Sequence, residues 1–498
     1  MSKGRAGRGF LWLTAAKLHF MLAGWAIYAY LPHKLSQVQY GQLMIVIALV
    51  SILNNVMVSS AVQGTSRFTA ARPGAGGAVL RSGLGLFLLI GAAAAAFLTL
   101  GAGWLARAEA DASLTPLYRI AAPITLAYAL YAVCVGSLNG RQRFGFQAGF
   151  DASYATIRMG AMILGAVLLS SAWGVVAGYS VGAVLICLVG LGLVGRLALT
   201  DRAPSPGIGR AMVIFVAPLA LHQLGVNLLL RTDLLLIKAL GGHVAGAGAS
   251  QATTTSVLSG HYAAAQMFAF LPYQALIALS MVVFPLVADA AASKHTDRMR
   301  DTATGALRFA LLFGAGLAAV LAAQPAGIID VVYPEAYRAG GAALRFLAWG
   351  ILGLSLITLG CAMLNAAGYT LRVVLITFVT WLAQVCGVAV ALRWSTTTVQ
   401  VLQWSAAASA MALLLGGLAA VGVVWRTFGA HPSVKTVVRV GLAAALAAAG
   451  GALLPIRSAP AIIGGCLATL AAFVVILWLT GEVGRQDLDA VKRVFRRS

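Results

Sequence analysis

Apolar runs of about 20 residues recur along this chain from one end to the other, separated by short polar segments. A helix of that length crosses a hydrocarbon core about 30 Å thick. Inside a bilayer each backbone polar group needs an internal partner, so these runs are expected to be α-helices. The chain is 60% hydrophobic and only 10% charged, whereas an ordinary soluble domain carries roughly a quarter charged residues. The sequence therefore predicts an all-α polytopic membrane protein.

Hydropathy predicts about fourteen transmembrane helices. They span roughly residues 10–32, 41–63, 80–104, 116–138, 152–173, 175–196, 211–239, 262–288, 305–329, 341–366, 371–393, 400–425, 436–455 and 460–480. The first run follows a short basic segment and lacks a small-residue cleavage site. It is therefore expected to be a retained helix and not a signal peptide.

The distribution of positive charge predicts the orientation. Of the 35 Lys and Arg residues, 24 lie in or near one set of alternating segments that includes both termini, and nine lie in or near the other set, with Arg231 of the seventh span counted among the nine. Lys17 and Arg158 lie inside spans and are assigned to neither set. The positive-inside rule then places both termini in the cytoplasm, in a bacterial cytoplasmic (inner) membrane. The net charge of +22 does not indicate a nucleic-acid partner, because such proteins cluster their basic residues on a soluble module.

Short similarities between the two halves suggest an internal repeat. Leu138-Asn139-Gly140 closes the fourth span, and a similar Leu364-Asn365 segment closes the tenth. We predict two pseudo-symmetric six-helix bundles, residues 1–204 and 205–430, followed by two transmembrane helices in 431–480. Residues 481–498 are predicted to form a cytoplasmic amphipathic basic helix, or else a solubilising basic terminus. Residues 241–260, which are small, polar and nearly uncharged, are predicted to be a flexible external segment.

Charged residues inside spans are the candidates for function, because an ionised group near the bilayer centre is costly and usually faces a partner or a water-filled cavity. Lys17 in the first span is either such a residue or one that extends to the inner headgroups. Arg158 in the fifth span is predicted to be a phosphate ligand in a cavity. The alternative is an internal ion pair between Arg158 and Asp151.

The seventh span carries both signs of charge. Arg231 and Asp233 are two residues apart, so they point in different directions on a helix and do not pair with each other. Asp233 is the candidate for binding a coupling proton or cation, and the alternative is a buried pair with a cation from another span. Arg345 and Arg372, near the starts of the tenth and eleventh spans, are either interface residues or further ligands in the cavity.

Enzymatic motifs are absent from the sequence. It contains no G-x-x-x-x-G-K-[ST], G-x-S-x-G or H-E-x-x-H pattern, and its five cysteines lie in apolar runs without C-x-x-C spacing. We therefore predict a transporter with no catalytic residues, no metal site and no cofactor. A membrane glycosyltransferase or ligase is less favoured, since the longest external loop lacks acidic groups for acid-base chemistry.

Five stretches, in a fixed order and spacing, carry a family resemblance. They are Leu31–Gly41, Leu138–Phe144, Arg231–Ile237, Gly260–Ala265 with Phe284-Pro285, and Tyr333–Tyr337. The pattern resembles the polysaccharide transporter (Wzx-like flippase) family of the multidrug, oligosaccharidyl-lipid and polysaccharide exporter superfamily. The chain departs from it at Pro32-His33-Lys34, where a small acidic turn is usual, and in 241–260, which looks like an insertion.

This resemblance implies two six-helix bundles and two extra C-terminal helices that work by alternating access. The implied substrate is an undecaprenyl-diphosphate-linked oligosaccharide, flipped from the inner to the outer leaflet for O-antigen, lipopolysaccharide or exopolysaccharide synthesis. Lys17, Arg158 and Arg231 would then bind the diphosphate or acidic sugars, and Asp233 would couple the movement to an ion gradient. Polysaccharide polymerase and chain-length proteins are expected partners. The alternatives are a cation-coupled multidrug exporter and a lipid II flippase of the same superfamily.

Overall fold

The computed structural model describes residues 3–72, 74–200, 207–246, 248–273, 283, 287, 289, 296–454 and 458–484. Within these residues the chain forms sixteen α-helices and no strand, so the predicted all-α class is confirmed. The helices are α1 Lys3–Tyr30, α2 Gln37–Ala71, α3 Gly76–Leu100, α4 Ala102–Ala108, α5 Leu114–Gly140, α6 Phe144–Leu169, α7 Ala172–Thr200, α8 Ile208–Leu240, α9 Gln251–Ala269, α10 Thr296–Ala323, α11 Pro325–Val332, α12 Gly341–Ala366, α13 Thr370–Trp394, α14 Thr398–Phe428, α15 Val434–Ala452 and α16 Ala459–Leu479.

Twelve of the helices in the described residues are long and apolar enough to cross a membrane. They are α2, α3, α5 to α8, α10 and α12 to α16, and each coincides with a predicted span. The first predicted span corresponds to α1. The eighth overlaps α9 and continues into residues that lie outside the described ranges. The chain is therefore a multi-pass membrane protein.

Residues 1–260 form one compact unit, called unit 1 below. In unit 1, α5 packs against α2, α3 and α7, while α6 packs against α1 and α7 and α8 packs against α2. Residues 261–498 form unit 2, where α12 packs against α10 and α14, and α13 packs against α14. The helices α15 and α16 pack on α10 through an alanine-rich core in which Ala315 and Ala444 lie with the ring of Phe473. Small side chains let the helix backbones approach closely.

The two units repeat one packing order. In unit 1 the contacting pairs are α3 with α5, α5 with α7, and α6 with α7; in unit 2 they are α10 with α12, α12 with α14, and α13 with α14. In both units the first helix of this packing order is followed by a short helix that hydropathy did not predict: α4 follows α3, and α11 follows α10. The two bundles of the predicted fold class are thus present. The proposed domain boundaries at 204/205 and 430/431 remain predictions.

The prediction of a flexible segment over residues 241–260 is wrong for its second half. Helix α9 begins at Gln251, and Thr255, Ser256 and Gly260 are buried. A Cβ atom added to Gly41 in α2 would lie 1.7 Å from the carbonyl oxygen of Ser256, so the two helices meet backbone to backbone. Small polar residues are required here because α9 packs against α2 at this point.

The predicted basic tail falls largely outside the described residues, which end at residue 484. One of its first residues is buried, since Glu482 is only 7% exposed. The Glu482 carboxylate accepts hydrogen bonds from Arg308 Nε at 3.0 Å and from Thr436 Oγ1 at 2.9 Å. The chain after α16 is thus attached to α10 and α15.

Candidate functional site

Arg158 lies among aromatic rings in unit 1. Its guanidinium carbon is 4.8 Å from the ring centre of Phe20 in α1, 5.7 Å from that of Tyr154 in α6 and 6.0 Å from that of Tyr179 in α7. A Cβ atom added to Gly24 would lie 3.3 Å from Arg158 Nη2, so α1 passes close to the guanidinium. Aromatic faces attract a cation without neutralising its charge. Three helices therefore hold a charged guanidinium inside the apolar part of the chain.

The predicted alternative for Arg158, an ion pair with Asp151, is not observed. Among the described residues Arg158 forms no ion pair, and its Nε is buried with no hydrogen-bond partner. Asp151 instead accepts a hydrogen bond from the hydroxyl of Tyr131 and interacts electrostatically with Lys17. The positive charge of Arg158 is thus not cancelled by a carboxylate.

Tyr28 of α1 connects two of the candidate cations. Tyr28 lies within electrostatic range of both Arg158 of α6 and Arg231 of α8. Lys17 lies on the same helix, α1, and is exposed. Nearby, His19 Nε2 and Thr156 Oγ1 are 2.9 Å apart, which ties α1 to α6. Three of the five predicted cations therefore lie on the helices α1, α6 and α8 of unit 1.

Asp233 is buried two residues beyond Arg231 in α8. It is 3% exposed, and its Oδ1 accepts a hydrogen bond from the backbone N–H of Leu234 at 2.8 Å. The carboxylate interacts electrostatically with Arg231 of the same helix. The expectation that this carboxylate couples transport to an ion gradient stays a prediction.

The other two predicted cations, both in unit 2, do not lie together. Arg345 is exposed near the start of α12. Arg372 follows the end of that helix, so about 30 Å of helix separates the two along the axis. The Arg372 guanidinium lies 4.5 Å from the ring centre of Tyr369, and its Nη1 donates to Thr427 Oγ1 at 2.7 Å. These contacts position Arg372 at the junction of α13 and α14.

A polar contact between α2 and α8 was missed in the sequence analysis. Asn55 Nδ2 donates to Asn227 Oδ1 at 2.7 Å, and Gln223 Nε2 donates to Ser59 Oγ at 2.5 Å. The adjacent Asn54 is 3% exposed, and neither of its side-chain polar atoms has a hydrogen-bond partner among the described residues. The signal was present, since amides in the middle of an apolar run usually mark a helix contact or a pathway.

A buried ion pair at the ends of three helices was also missed. Lys238 Nζ lies 2.7 Å from Asp111 Oδ2, and the side chains are 0% and 5% exposed. Gln42 Nε2 also donates to Asp111 Oδ2, at 3.2 Å. No local spacing relates residues 127 positions apart, and Lys238 lies at the end of the seventh predicted span, 211–239. Only the tertiary structure reveals this pair.

The carboxyl group of this pair, Asp111, and the nearby carboxyl group of Glu109 have opposite pKa shifts. Burial raises the pKa of Glu109 to about 7, although Tyr118 donates a hydrogen bond to its Oε2 at 2.6 Å. Burial also opposes ionisation of Asp111, but the hydrogen bonds from Lys238, Ser113 and Gln42 outweigh it and lower the pKa of that carboxyl. Glu109 is therefore the group in this cluster that changes charge near neutral pH.

Metal-binding groups are not assembled in the described part of the chain. No three His, Cys, Asp or Glu side chains there lie close enough to hold a metal ion. The chemistry that unit 1 offers is that of fixed guanidinium groups, which donate hydrogen bonds to phosphate and carboxylate oxygens in planar pairs.

Matches to sequence models of protein families show the family of this chain. The sequence model of the polysaccharide biosynthesis protein family matches residues 6–291, which is more than half of the 498 residues. This protein belongs to that family. A second family model, MatE, matches residues 218–390. No curated protein matches the chain at a significant level.

Solved structures share the fold of this family member at low sequence identity. A lipid II flippase, MurJ, in an inward closed conformation is similar with a TM-score of 0.73 and 14% identity, over 93% of this chain and 97% of that one. An inward-facing multidrug resistance MATE family transporter of the MOP superfamily gives a TM-score of 0.59 and 15% identity over 83% and 94%. A MOP superfamily transporter from Pyrococcus furiosus gives 0.54 and 16% over 83% and 92%. The fold is thus that of MOP superfamily transporters.

Proposed function

We propose that this protein is a flippase that carries a polyprenyl-diphosphate-linked oligosaccharide from the inner to the outer leaflet of the bacterial cytoplasmic membrane. Its family membership supports a role in polysaccharide biosynthesis, and its fold supports transport. The observation that carries the proposal is the Arg158 guanidinium held among aromatic rings in unit 1, with Arg231 within electrostatic range of the same tyrosine, Tyr28. Two guanidinium groups in a low-dielectric setting match the charge of a diphosphate.

The setting of Arg158 favours an anionic ligand over a purely structural role. A structural arginine in a membrane helix is usually neutralised by a carboxylate or by carbonyl groups. Arg158 is instead held by rings, and its Nε has no hydrogen-bond partner in the described residues. An incoming diphosphate would supply the missing acceptor and offset the cost of burying the charge. Lys17 would add a third cation on α1, with Arg345 and Arg372 as outlying candidates.

Asp233 is proposed as the coupling group. Ionisable residues within membrane helices usually mark an ion pathway or a proton relay in transporters. The burial of Asp233, at 3% exposed, supports this role. Flipping measured in proteoliposomes should respond to an imposed proton or sodium gradient, and the response should disappear in Asp233→Asn.

The proposed location has both termini in the cytoplasm. The bias of 24 to nine among basic residues in alternating segments supports it. Polymerase and chain-length proteins are proposed partners because a flipped repeat unit must be polymerised on the outer leaflet. Reporter fusions after residue 140 and after residue 110 should report opposite sides of the membrane.

The decisive experiment is deletion of the gene in its own host. We expect loss of surface polysaccharide and accumulation of the lipid-linked oligosaccharide on the cytoplasmic side. Complementation with Arg158→Gln or Arg231→Gln should restore less than about a tenth of the export, because each removes a charge-assisted contact. Arg210→Gln, at an exposed arginine at the start of α8, is the matched control. Full export by both inner variants would exclude the proposed binding role of these arginines.

The same deletion separates the alternatives. A lipid II flippase is the second candidate, because the fold extends over 97% of a lipid II flippase chain. In that case depletion would stop growth and leave cell-wall precursor on the cytoplasmic side, with surface polysaccharide synthesis intact until lysis. Normal glycan with new sensitivity to cationic drugs would indicate a multidrug exporter. Sugar transfer by the purified protein would indicate a glycosyltransferase or ligase.

A further inference from the structure

A second cationic site lies in unit 1 where α2 and α5 end and α3 and α6 begin. A cavity of about 320 Å³ opens there, and its lining includes Arg72, Arg141 and Arg143. No carboxylate lines this cavity, and none of the three arginines forms an ion pair among the described residues. The volume is at the lower end of the roughly 300 to 1,000 Å³ typical of small-molecule sites. An excess of three positive charges therefore faces a small open cleft.

Buried donors at this cavity lack acceptors. Arg141 Nε and Nη2 are buried without any hydrogen-bond partner in the described part of the chain. Thr69, which is 5% exposed and lines the same cavity, has an unpartnered hydroxyl. Leaving such groups unsatisfied costs about 1–3 kcal/mol each. Their presence together at one cavity indicates a ligand that accepts several hydrogen bonds.

The start of α3 completes the lining. Its N-cap residue, Ala75, provides no side-chain hydrogen bond, so the first turn of this 25-residue helix lacks the usual cap. Gly74 has a φ angle of +93°, and Gly74 and Gly76 both line the cavity. A Cβ atom added to Gly76 would lie 2.7 Å from Arg141 Nη2. The Arg141 guanidinium thus lies against the N-terminal end of α3, where the helix dipole is positive. The two positive groups together would attract an anion.

We propose that this cavity binds a phosphate group, with Arg141 as the bidentate ligand and Arg72, Arg143 and Thr69 as further donors. Phosphate oxygens match the planar donor pair of a guanidinium and the N–H groups at a helix start. The group comes either from the headgroup of an anionic phospholipid or from a soluble phosphate compound. The site is separate from the cluster at Arg158 and Arg231, and it does not depend on the flippase proposal.

The test measures binding by the purified full-length protein in a lipid-free detergent. Inorganic diphosphate is titrated by calorimetry, and retained phosphatidylglycerol is counted by native mass spectrometry after reconstitution in vesicles of phosphatidylglycerol and phosphatidylcholine. Arg141→Gln should weaken the binding of the occupying ligand at least about tenfold, because it removes a charge-assisted pair of hydrogen bonds. Arg210→Gln changes the same charge at an exposed position in unit 1 and should leave binding unchanged.

The two readouts distinguish the sources. Saturable diphosphate binding that Arg141→Gln abolishes assigns a soluble phosphate compound. Retention of phosphatidylglycerol over phosphatidylcholine, lost in Arg141→Gln and not displaced by diphosphate, assigns a lipid headgroup. Gly76→Ala, which crowds the guanidinium, should reduce whichever signal is found. Absence of both signals in the wild-type protein, or equal signals in the wild type and Arg141→Gln, overturns the proposal. Circular dichroism of each variant verifies folding.

Discussion

The ammonium group of Lys238 lies 2.7 Å from Asp111 Oδ2, with neither side chain more than 5% exposed. Lys238 Nζ is also 2.8 Å from Ser256 Oγ and 3.2 Å from Thr255 Oγ1. The pair therefore joins the end of α8, the connection between α4 and α5, and the first turns of α9. Charges buried this deeply depend on each other, because either one alone would remain desolvated and unpaired.

Replacing only one residue of this ion pair should destabilise the protein strongly. We expect Lys238→Met to lower the free energy of unfolding by about 3–5 kcal/mol, since it leaves the Asp111 carboxylate buried without its cation. The double variant Lys238→Met with Asp111→Leu should lose less than the two single variants together. Thermal unfolding in detergent, arranged as a double-mutant cycle, measures the coupling.

An exposed ion pair supplies the control. Arg298 and Asp289 form a pair in which the side chains are 59% and 65% exposed. Arg298→Met should therefore change the stability by less than about 1 kcal/mol. If Lys238→Met cost no more than Arg298→Met, the buried pair would not hold these helices together.

Glu109 should make the stability of unit 1 dependent on pH. Its pKa is raised from 4.5 to about 7, chiefly by burial and also by the charge of Asp111, against the opposing effects of Tyr118 and Lys238. Between these values the folded protein holds a proton that the unfolded chain has lost. The stabilisation is thus fully present below about pH 4.5 and is lost as the pH rises through about 7.

Glu109→Gln tests this dependence. The variant should flatten the stability profile between pH 5 and pH 8 and should be more stable than the wild type at pH 8, by at most about 3 kcal/mol. Glu335→Gln, at an exposed carboxylate, should leave the profile unchanged. An unaltered slope in Glu109→Gln would falsify the assignment of the slope to Glu109. Melting temperatures in detergent across this pH range are the measurement.

Gly41 should tolerate no side chain. An added Cβ atom would lie 1.7 Å from the Ser256 carbonyl oxygen, which is backbone and cannot rotate away. Gly41→Ala should therefore separate α2 from α9 and lower the melting temperature. Gly85→Ala in α3 is the matched control, because nothing lies within 4 Å of its added Cβ. That variant should be neutral or slightly stabilising, since alanine favours a helix by about 1 kcal/mol. Equal melting temperatures for the two variants would contradict this view of the contact.

Glu482 should stabilise the packing of the C-terminal end of α16. Its carboxylate lies 3.0 Å from Arg308 Nε and 3.6 Å from Arg439 Nη1, so it faces cations from α10 and α15. Glu482→Gln should cost about 1–3 kcal/mol, because Arg308 is 33% exposed and partly solvated. Hydrogen exchange should quicken at the last turn of α16 and not at α12. An equal increase of hydrogen exchange in α12 and α16 of Glu482→Gln would contradict a local stabilising role of Glu482.

Hydropathy and charge were sufficient for the fold class. Runs of about 20 apolar residues can only be helices in a bilayer, so the helical class and the approximate bounds of the spans follow from the hydropathy pattern along the chain. The tenth predicted span, 341–366, coincides with α12. The short helices α4 and α11 were not predicted, because seven or eight residues are too few to give a hydropathy signal of a span.

The sequence also singled out Arg158, Arg231 and Asp233, since a charge in an apolar run is visible without a structure. Their partners were not predictable in the same way. From the sequence, Asp151 was a possible ion-pair partner of Arg158 because the two are close in the chain. In the structure the Arg158 guanidinium instead lies near the rings of Phe20 in α1 and Tyr179 in α7. The choice between a carboxylate and aromatic rings depends on which helices pack together.

The sequence by itself determined that this chain is a multi-pass helical membrane protein with a small set of charged residues inside its spans. Only the tertiary structure decided which charges meet. Lys238 pairs with Asp111 across 127 positions, and Arg141 reaches the start of α3 beside unpartnered Thr69. The physical reason is that helix formation depends on local periodicity and on the solvent, whereas pairing between helices depends on packing between residues far apart in the chain.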